Sequence, residues 1–338
     1  MSMNRRTFVG AAAGVAAAAA AVPTKSTMGV AATSYLSYWR PRETYDFLEY
    51  CHSIGAGGIQ APLASTELAY ARKLRARAEA LGMFVEVMAP LPRGDGAAAQ
   101  FEAVIKAAAE AGVTCVRTGC LGGRRYETFA SMQDWQAFVA ESVQSVERAI
   151  PVLAKYKVRM ALENHKDWTL DEFLALLKRY STEWLGVCLD TGNNLALLDD
   201  PYQIVEKLAP FAYSTHIKDM GVAASADGFL LSEVVMGDGF LDMKRIVDTI
   251  RKHQPKTRLQ LEMITRDPLK IPCLTDKYWA TFSDRNGLFL ARTLALVKQS
   301  ERGKLPVMDG LTAEQKKQAE ADNVKKCLAF AREKLALS

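Results

Sequence analysis

The sequence predicts a (β/α)8 barrel followed by a C-terminal helical extension. After residue 26, short apolar, β-rich runs alternate with longer helical patterns, which is the order of elements in a parallel sheet covered by helices. The β-rich runs number eight, and eight parallel strands close a barrel. No glycine-rich phosphate loop follows the first run, so an open nucleotide-binding sheet is disfavoured.

The predicted strands are short, and each is followed by a loop or a helical pattern. They cover residues 27–33, 57–61, 83–89, 113–118, 158–163, 185–190, 212–216 and 258–262. The main predicted helices cover residues 44–52, 65–81, 134–156, 170–180, 201–208, 243–253, 285–299 and 313–335. Thr169 and Asp200 are typical helix N-caps. We therefore predict a barrel over residues 27–300 and an extension over residues 301–338.

The first 22 residues are typical of an export signal. Arg5 and Arg6 precede an apolar, alanine-rich run over residues 9–22, and small residues at 19–21 offer a site for signal peptidase. The segment resembles a twin-arginine signal, which implies export of the folded protein to the periplasm or the cell exterior. No other stretch approaches the roughly 18 to 20 apolar residues that span a bilayer. We therefore expect no membrane span in the mature chain.

The overall composition narrows the class of partner. The chain has 338 residues and a net charge of +5 with no clustered basic stripe, which argues against a nucleic-acid binder. Its six cysteines contain no CxxC pair, so neither a zinc ribbon nor a small disulfide scaffold is indicated. We expect the partner to be a small molecule. A homo-oligomer is compatible with the sequence.

Acidic and imidazole side chains stand at the ends of the last four predicted strands. Glu163, Asp190, His216 and Glu262 each close one of these strands, and barrel active sites are built at the C-terminal ends of strands. A carboxylate in a buried strand is costly unless it is paired or bound to a metal. Two Glu, one Asp and one His form a donor set suited to Mg2+, Mn2+, Co2+ or Zn2+. We therefore predict one divalent metal ion at these four residues.

At these residues the chain resembles the xylose isomerase-like barrel superfamily, which includes sugar isomerases, ketose 3-epimerases, inosose dehydratases and apurinic endonucleases. The resemblance covers about residues 27–262 and implies that the four strand-end residues hold one catalytic metal ion. It also implies that Glu163 and Glu262 act as proton-transfer groups. Asn193 departs from the family pattern, because members often carry His three residues after the strand-six Asp. The chain has four histidines in all, so a trinuclear nuclease with several histidine ligands is not expected.

The expected chemistry acts on carbon next to a carbonyl. A bound cation is a Lewis acid that makes the neighbouring proton removable, and Glu163 and Glu262 could approach that carbon from opposite faces. This predicts an isomerase or epimerase that acts through an enediolate on a free sugar, keto sugar or sugar acid. Decarboxylation of a 3-keto sugar acid is the alternative, because residues 163–168 and 190–194 are similar to 3-oxo-isoapionate decarboxylases. Cleavage of a 3-keto glycoside, metal-dependent hydrolysis and non-catalytic sugar binding stay open.

Six further residues near strand ends are predicted to contact the substrate. They are His165, Asn193, Lys218, Asp219, Arg117 and Gln60. Neutral imidazole and guanidinium groups hold hydroxyls or a carboxylate, and Lys218 is expected to reach a carboxylate or carbonyl. Asp219 is expected to orient a ligand or to pair with Lys218. Residues 237–239 are predicted to form a turn within a long loop after the seventh strand.

Overall fold

A computed structural model gives the fold of residues 25–37, 39–94, 96–301 and 303–338. The predicted export signal lies outside these described residues. The strands of the described part are β1 (Gly29–Ala31), β2 (Gly58–Ala61), β3 (Phe84–Met88), β4 (Cys115–Thr118), β5 (Arg159–Glu163), β6 (Leu185–Asp190), β7 (Ala212–His216), β8 (Asp219–Ser225), β9 (Gly228–Val234), β10 (Gln260–Leu261) and β11 (Leu269–Ile271).

Eight of these strands form a parallel barrel. Strands β1 to β7 are hydrogen-bonded in sequence order, and β10 pairs with β1. A parallel bridge between Ile217 and Leu261 joins the end of β7 to β10. Each barrel strand lies inside one of the eight predicted runs, so the predicted (β/α)8 barrel is confirmed.

The helices of the described part cover the outside of the barrel. They are α1 (Thr44–Ser53), α2 (Leu68–Ala80), α3 (Ala97–Glu110), α4 (Arg125–Thr128), α5 (Met132–Tyr156), α6 (Leu170–Tyr180), α7 (Pro201–Leu208), α8 (Met243–His253), α9 (Asp276–Trp279), α10 (Gly287–Ser300) and α11 (Ala313–Lys334). Helix α6 begins with a capping box, in which Thr169 and Glu172 satisfy each other's backbone N–H groups. Helix α7 begins at Pro201 after the N-cap Asp200.

Strand alternation separates two apolar layers. Small side chains of β4, β5 and β6, namely Cys115, Ala161 and Cys188, form a compact cluster of their own. Their strand neighbours, such as Leu162 and Val187, join the large core that also contains the buried helix residues. Successive strand residues point to opposite faces, so the first group fills the barrel and the second packs under the helices.

The segment after β7 is a hairpin and not the predicted long loop. Strands β8 and β9 pair antiparallel from Asp219 to Val234, and β11 joins them as a third strand. The turn needs Gly228, whose φ is +146° and whose added Cβ would lie 2.2 Å from the carbonyl oxygen of Ile271. Because β8 starts three residues after His216, this small sheet stands at the C-terminal end of the barrel.

The predicted C-terminal helical extension is present as α11. It buries Val324, Cys327, Leu328 and Ala331. The Glu320 carboxylate accepts hydrogen bonds from the backbone N–H groups of Ser37 and Trp39 at 3.1 Å. Helix α11 therefore fixes the loop after β1, close to the mouth of the barrel. Among the residues that the structure describes, no helix is both long and apolar enough to cross a membrane.

Candidate metal centre and its cavity

The four predicted metal ligands converge at the mouth of the barrel. Glu163 ends β5, Asp190 ends β6, His216 ends β7, and Glu262 follows β10. Each offers one ligand atom, and these four atoms lie within 4.8 Å of one another at buried positions. The parallel register pairs Asp190 with His216, so neighbouring strand ends bring the side chains to one level.

One oxygen of each carboxylate faces the same imidazole nitrogen. Nδ1 of His216 is 3.3 Å from Oε1 of Glu163, 3.3 Å from Oε1 of Glu262 and 3.8 Å from Oδ2 of Asp190. Within the described part of the chain, this buried nitrogen has no hydrogen-bond partner. Three oxygens and an unpartnered nitrogen around one point fit a divalent cation, which takes this donor set.

Gln60 fixes which nitrogen of His216 is available. Oε1 of Gln60 lies 2.7 Å from Nε2 of His216, while Nε2 of Gln60 donates to Oε2 of Glu86 and to Oγ of Ser214, each at 3.1 Å. The amide oxygen can only accept, so Nε2 of His216 carries a proton and the lone pair is directed to Nδ1. Gln60 is buried below the metal centre and does not line the cavity. Its position supports a role in orienting His216 more than the predicted contact with the substrate.

The metal-free centre attracts protons. Burial lowers the pKa of His216, but Cys188 and Glu262 outweigh this and the pKa is raised overall. A bound cation would compete with a proton for the imidazole, which makes metal affinity dependent on pH. Burial of Glu86 raises its pKa in the layer below.

The remaining oxygens of both glutamates are held by cations. Oε2 of Glu163 accepts from Arg117, and Oε2 of Glu262 accepts from Lys218. Thr33 also donates to Oε1 of Glu262 at 2.6 Å. Burial opposes ionisation of Glu262, but His216 and Lys218 hold its pKa well below the ordinary value. A carboxylate clamped by a cation is a weak base, so the predicted proton transfer by the glutamates would require Arg117 and Lys218 to release them.

Asp190 is held by backbone groups and by two asparagines. Its Oδ1 accepts from the N–H groups of Gly192 at 2.9 Å and Asn193 at 2.7 Å. Asn164 pairs with the backbone of Asp190 through both ends of its amide. The Asn193 side chain donates to Oε1 of Glu163 at 3.0 Å and accepts from Lys166. Asn193 thus lines the cavity as predicted, with its amide already bonded to protein groups.

A cavity of about 570 Å3 opens above this centre. Glu163 and Glu262 form part of its floor, and the predicted residues His165 and Arg117 line it. Burial, followed by the nearby Lys166, lowers the pKa of His165 well below the ordinary value, so its ring is neutral. Nδ1 of His165 has no hydrogen-bond partner, which leaves it available to a hydroxyl of a ligand.

The cavity wall also contains charged groups that the sequence pattern did not indicate. Lys166 and Arg266 line the cavity, and Glu233 on β9 pairs with Arg266 at 2.7 Å. Lys166 and Arg266 lie in loops beyond strand ends, where strand alternation no longer says which way a side chain points. Glu233 arrives on the unpredicted hairpin. A cluster of basic residues following strand ends was the only signal available in the sequence.

Two residues that are predicted to contact the substrate are bonded to protein groups. Lys218 is 1% exposed, and its ammonium lies 2.8 Å from Oδ2 of Asp190 as well as against Glu262, so carboxylates of the centre already surround it. The Asp219 carboxylate accepts from four backbone N–H groups, two of them in the segment Gly237–Gly239. The expected pairing of Asp219 with Lys218 is therefore wrong. Asp219 instead holds the predicted turn.

Comparison with known proteins supports the fold and gives one curated relative. Residues 48–279 match the family model described as xylose isomerase-like TIM barrel. A 3-oxo-isoapionate decarboxylase of Pectobacterium atrosepticum is 29% identical over 116 residues, which are 34% of this chain and 42% of that protein. The match therefore spans about two fifths of the relative's length.

Solved structures of sugar epimerases are similar in fold. The crystal structure of D-psicose 3-epimerase in the presence of D-fructose has a TM-score of 0.58 at 15% identity, covering 91% of this chain and 99% of that one. The apo form of 3-keto-D-glucoside 4-epimerase from E. coli has a TM-score of 0.55 at 13% identity, covering 81% and 100%. At such identities the likeness shows the fold alone.

Proposed function

This chain belongs to the xylose isomerase-like TIM barrel family, and from that premise we propose that it is a divalent-metal-dependent enzyme that decarboxylates a keto sugar acid. We base the choice of reaction on one observation. Oε2 of Glu163 accepts a hydrogen bond from Arg117, and Oε2 of Glu262 accepts one from Lys218. Removing a proton from carbon needs a free base. Releasing CO2 from a β-keto acid needs none, because the electron pair of the broken C–C bond moves to the carbonyl oxygen and water can then supply the proton that replaces CO2 at carbon. The sequence relative named as a decarboxylase supports the same choice.

Four residues of the chain would hold the metal ion. Glu163, Asp190 and Glu262 would each offer one oxygen and His216 its Nδ1, and Mn2+, Mg2+, Co2+ and Zn2+ all accept such donors. A cation bound there supplies Lewis-acid stabilisation for negative charge that develops at the substrate carbonyl oxygen.

The chain's own side chains orient the substrate. His165, neutral and with an unpartnered Nδ1, would accept a hydrogen bond from a sugar hydroxyl. Arg117, which lines the cavity and is partly exposed, would hold Glu163 in place while presenting its other N–H groups to the ligand. Because the cavity floor is buried, these groups act where water competes little.

Epimerisation or isomerisation of a sugar is the second candidate. Its support is that Glu163 and Glu262 lie on different strands at the same 3.3 Å distance from Nδ1 of His216. A substrate above the centre would thus have a carboxylate on either side. For either one to act as a base, Arg117 or Lys218 would first have to release it.

A metal add-back experiment separates the two candidates. Chelated protein is supplied with Mn2+ and a keto sugar acid, with 3-oxo-isoapionate as the first choice, and both CO2 release and deuterium uptake from D2O are recorded. Metal-dependent CO2 release supports the decarboxylase. Deuterium exchange without loss of carbon would support the epimerase, and activity that persists after chelation would contradict both.

Glu262→Gln sharpens this test, because Gln keeps an oxygen donor and removes the carboxylate. At saturating Mn2+, a decarboxylase should retain CO2 release within about tenfold, since Glu262 is then only a ligand. Loss of a catalytic base, in contrast, should lower the rate by roughly two or more orders of magnitude. Glu102→Gln on α3, where Glu102 pairs with Lys155, is the matched control and should resemble the wild type.

We further propose a periplasmic or extracellular location. The support is the sequence of residues 1–22 alone, with Arg5 and Arg6 before an apolar run. Replacing both arginines by lysine should retain the protein in the cytoplasm on cell fractionation. Unchanged export of that variant would contradict the twin-arginine assignment.

A further inference from the structure

The cavity contains one buried ammonium group that has no carboxylate partner. Lys166 is 4% exposed and lines the cavity, and its Nζ donates to Oδ1 of Asn193. Among the described residues no carboxylate oxygen lies within ion-pair distance of this group. The other basic residues that line the cavity are each paired: Arg117 with Glu163, Arg124 with Glu127, and Arg266 with Glu233.

An unpaired buried charge is costly, and folded proteins normally neutralise it. Burial, and then the nearby Lys218, lowers the pKa of Lys166 to about 8. The charged form of Lys166 is thus less favoured than that of a free lysine. Glu233 attracts it from beyond hydrogen-bond range, but that carboxylate is already bonded to Arg266. The protein itself thus leaves this position without an anion.

The charge balance of the whole site leads to the same need. Four carboxylates (Glu163, Asp190, Glu233 and Glu262) face four cations (Arg117, Lys166, Lys218 and Arg266). With the imidazole of His216 neutral, these charges cancel before a metal ion enters. A divalent ion then leaves an excess of two positive charges in a largely buried space, and a bound anion would offset part of it.

Asn193 sets where that anion would lie. Its amide accepts from Lys166 and donates to Oε1 of Glu163 at 3.0 Å. The ammonium is therefore one amide group away from an oxygen that faces the metal centre. An anionic group of a ligand bound above the centre could therefore reach Lys166.

We propose that Lys166 binds the carboxylate of the substrate and makes the cavity selective for sugar acids over neutral sugars of the same length. The inference rests on the proposed function in that it takes the cavity to be the substrate site. It applies equally to a decarboxylase and to an epimerase of sugar acids. Lys218, the lysine that the sequence favoured for this role, is enclosed by Asp190 and Glu262 below the cavity.

Calorimetric binding of a matched pair of probes to the full-length, Mn2+-loaded protein tests this. D-Gluconate and D-glucitol differ only in a carboxylate against a hydroxymethyl group. We expect gluconate to bind at least tenfold more tightly. Lys166→Met should weaken gluconate binding by about 10- to 100-fold, the range for loss of a charge-assisted hydrogen bond. The affinity for glucitol should stay within twofold of the wild-type value.

Two further variants make the result specific. Lys244→Met on α8 removes the same charge from an exposed residue that pairs with Asp248 and should bind both probes like the wild type. Lys166→Arg keeps the positive charge and should keep the preference for gluconate. It provides a test even if Lys166→Met fails to fold. Equal affinities in the wild type, no binding of either probe below 10 mM, or an equal preference in Lys166→Met and the wild type would overturn the proposal.

The outcome is distinguishable from failure of the proposed function. If CO2 release is absent but the Lys166-dependent preference for gluconate is present, the carboxylate site stands and the decarboxylase does not. If CO2 is released and Lys166→Met changes neither probe, the reverse holds. Mn2+ titration and thermal unfolding of each variant confirm that the metal centre and the fold are intact.

Discussion

Gln60→Leu is the substitution that tests how the barrel interior prepares His216 for metal binding. Gln60 accepts from Nε2 of His216 at 2.7 Å and donates to Glu86 and Ser214 at 3.1 Å. Leucine has a similar volume and makes none of these bonds. The imidazole could then adopt the other tautomer, which places a proton on Nδ1, the nitrogen that faces the three carboxylates.

The size of the effect follows from these three contacts. Loss of a partner that orients a ligating histidine typically weakens metal binding by 10- to 100-fold, or about 1.4 to 2.7 kcal/mol. The buried N–H of His216 and the carboxylate of Glu86 also lose partners. We therefore expect the free energy of unfolding to fall by about 2 to 4 kcal/mol.

The assay is calorimetric titration of chelated protein with Mn2+, together with urea unfolding in the absence of metal. Ser214→Ala is the matched control, because Ser214 donates to Glu86 at 2.6 Å in the same network without touching the imidazole. It should cost about 1 to 2 kcal/mol of stability and leave Mn2+ affinity within twofold. Wild-type affinity in Gln60→Leu, or an equal loss in Ser214→Ala, would refute the role given to Gln60.

Two further predictions concern stability. Burial raises the pKa of Asp167 from 3.8 to about 7, so the folded state favours the neutral carboxyl. Below about pH 4 the carboxyl is neutral in both the folded and the unfolded state, and its ionisation costs no stability. Above about pH 7 it is ionised in both states, and the full cost of burying the charge is present. Stability should therefore fall between these values, and Asp167→Asn should reduce that fall by about 2 to 4 kcal/mol in urea unfolding at each pH; an unchanged slope would contradict this. Asp219→Asn should lower stability by about 1 to 3 kcal/mol, since one of its oxygens becomes a donor facing backbone N–H groups, while Mn2+ affinity stays unchanged; a large loss of affinity would instead place Asp219 in the metal site.

The barrel and the convergence of the four strand-end residues could be predicted because both follow from short-range patterns. The alternation of apolar runs with helical patterns predicts where the strands lie. The last residue of each barrel strand then lies at the C-terminal mouth of the barrel. His216 and Asp190, for example, are register partners of neighbouring strands. Such a pattern needs no knowledge of contacts between distant residues.

The partners of these residues could not be predicted in the same way. Strand alternation predicts that Gln60 points into the barrel, but it does not predict how far below the mouth the side chain lies. Gln60 lies one layer below the cavity. Lys166 and Arg266 follow strand ends in loops, whose direction depends on tertiary packing. Asp219 directly follows Lys218 in sequence, yet its carboxylate is fixed by backbone groups about twenty residues away.

The unpredicted hairpin is an electrostatic part of the metal centre. Lys218 lies 2.8 Å from the same oxygen of Asp190 that faces His216, so a bound cation and this ammonium would be close neighbours. Two positive charges at such a separation repel each other, and nearby negative charge offsets this repulsion. Glu233, carried on β9, lies 3.9 Å from the Lys218 ammonium, and Arg266, Lys218 and Lys166 lower its pKa despite its burial. The hairpin therefore supplies a carboxylate that would stabilise the charged form of Lys218 beside a bound cation.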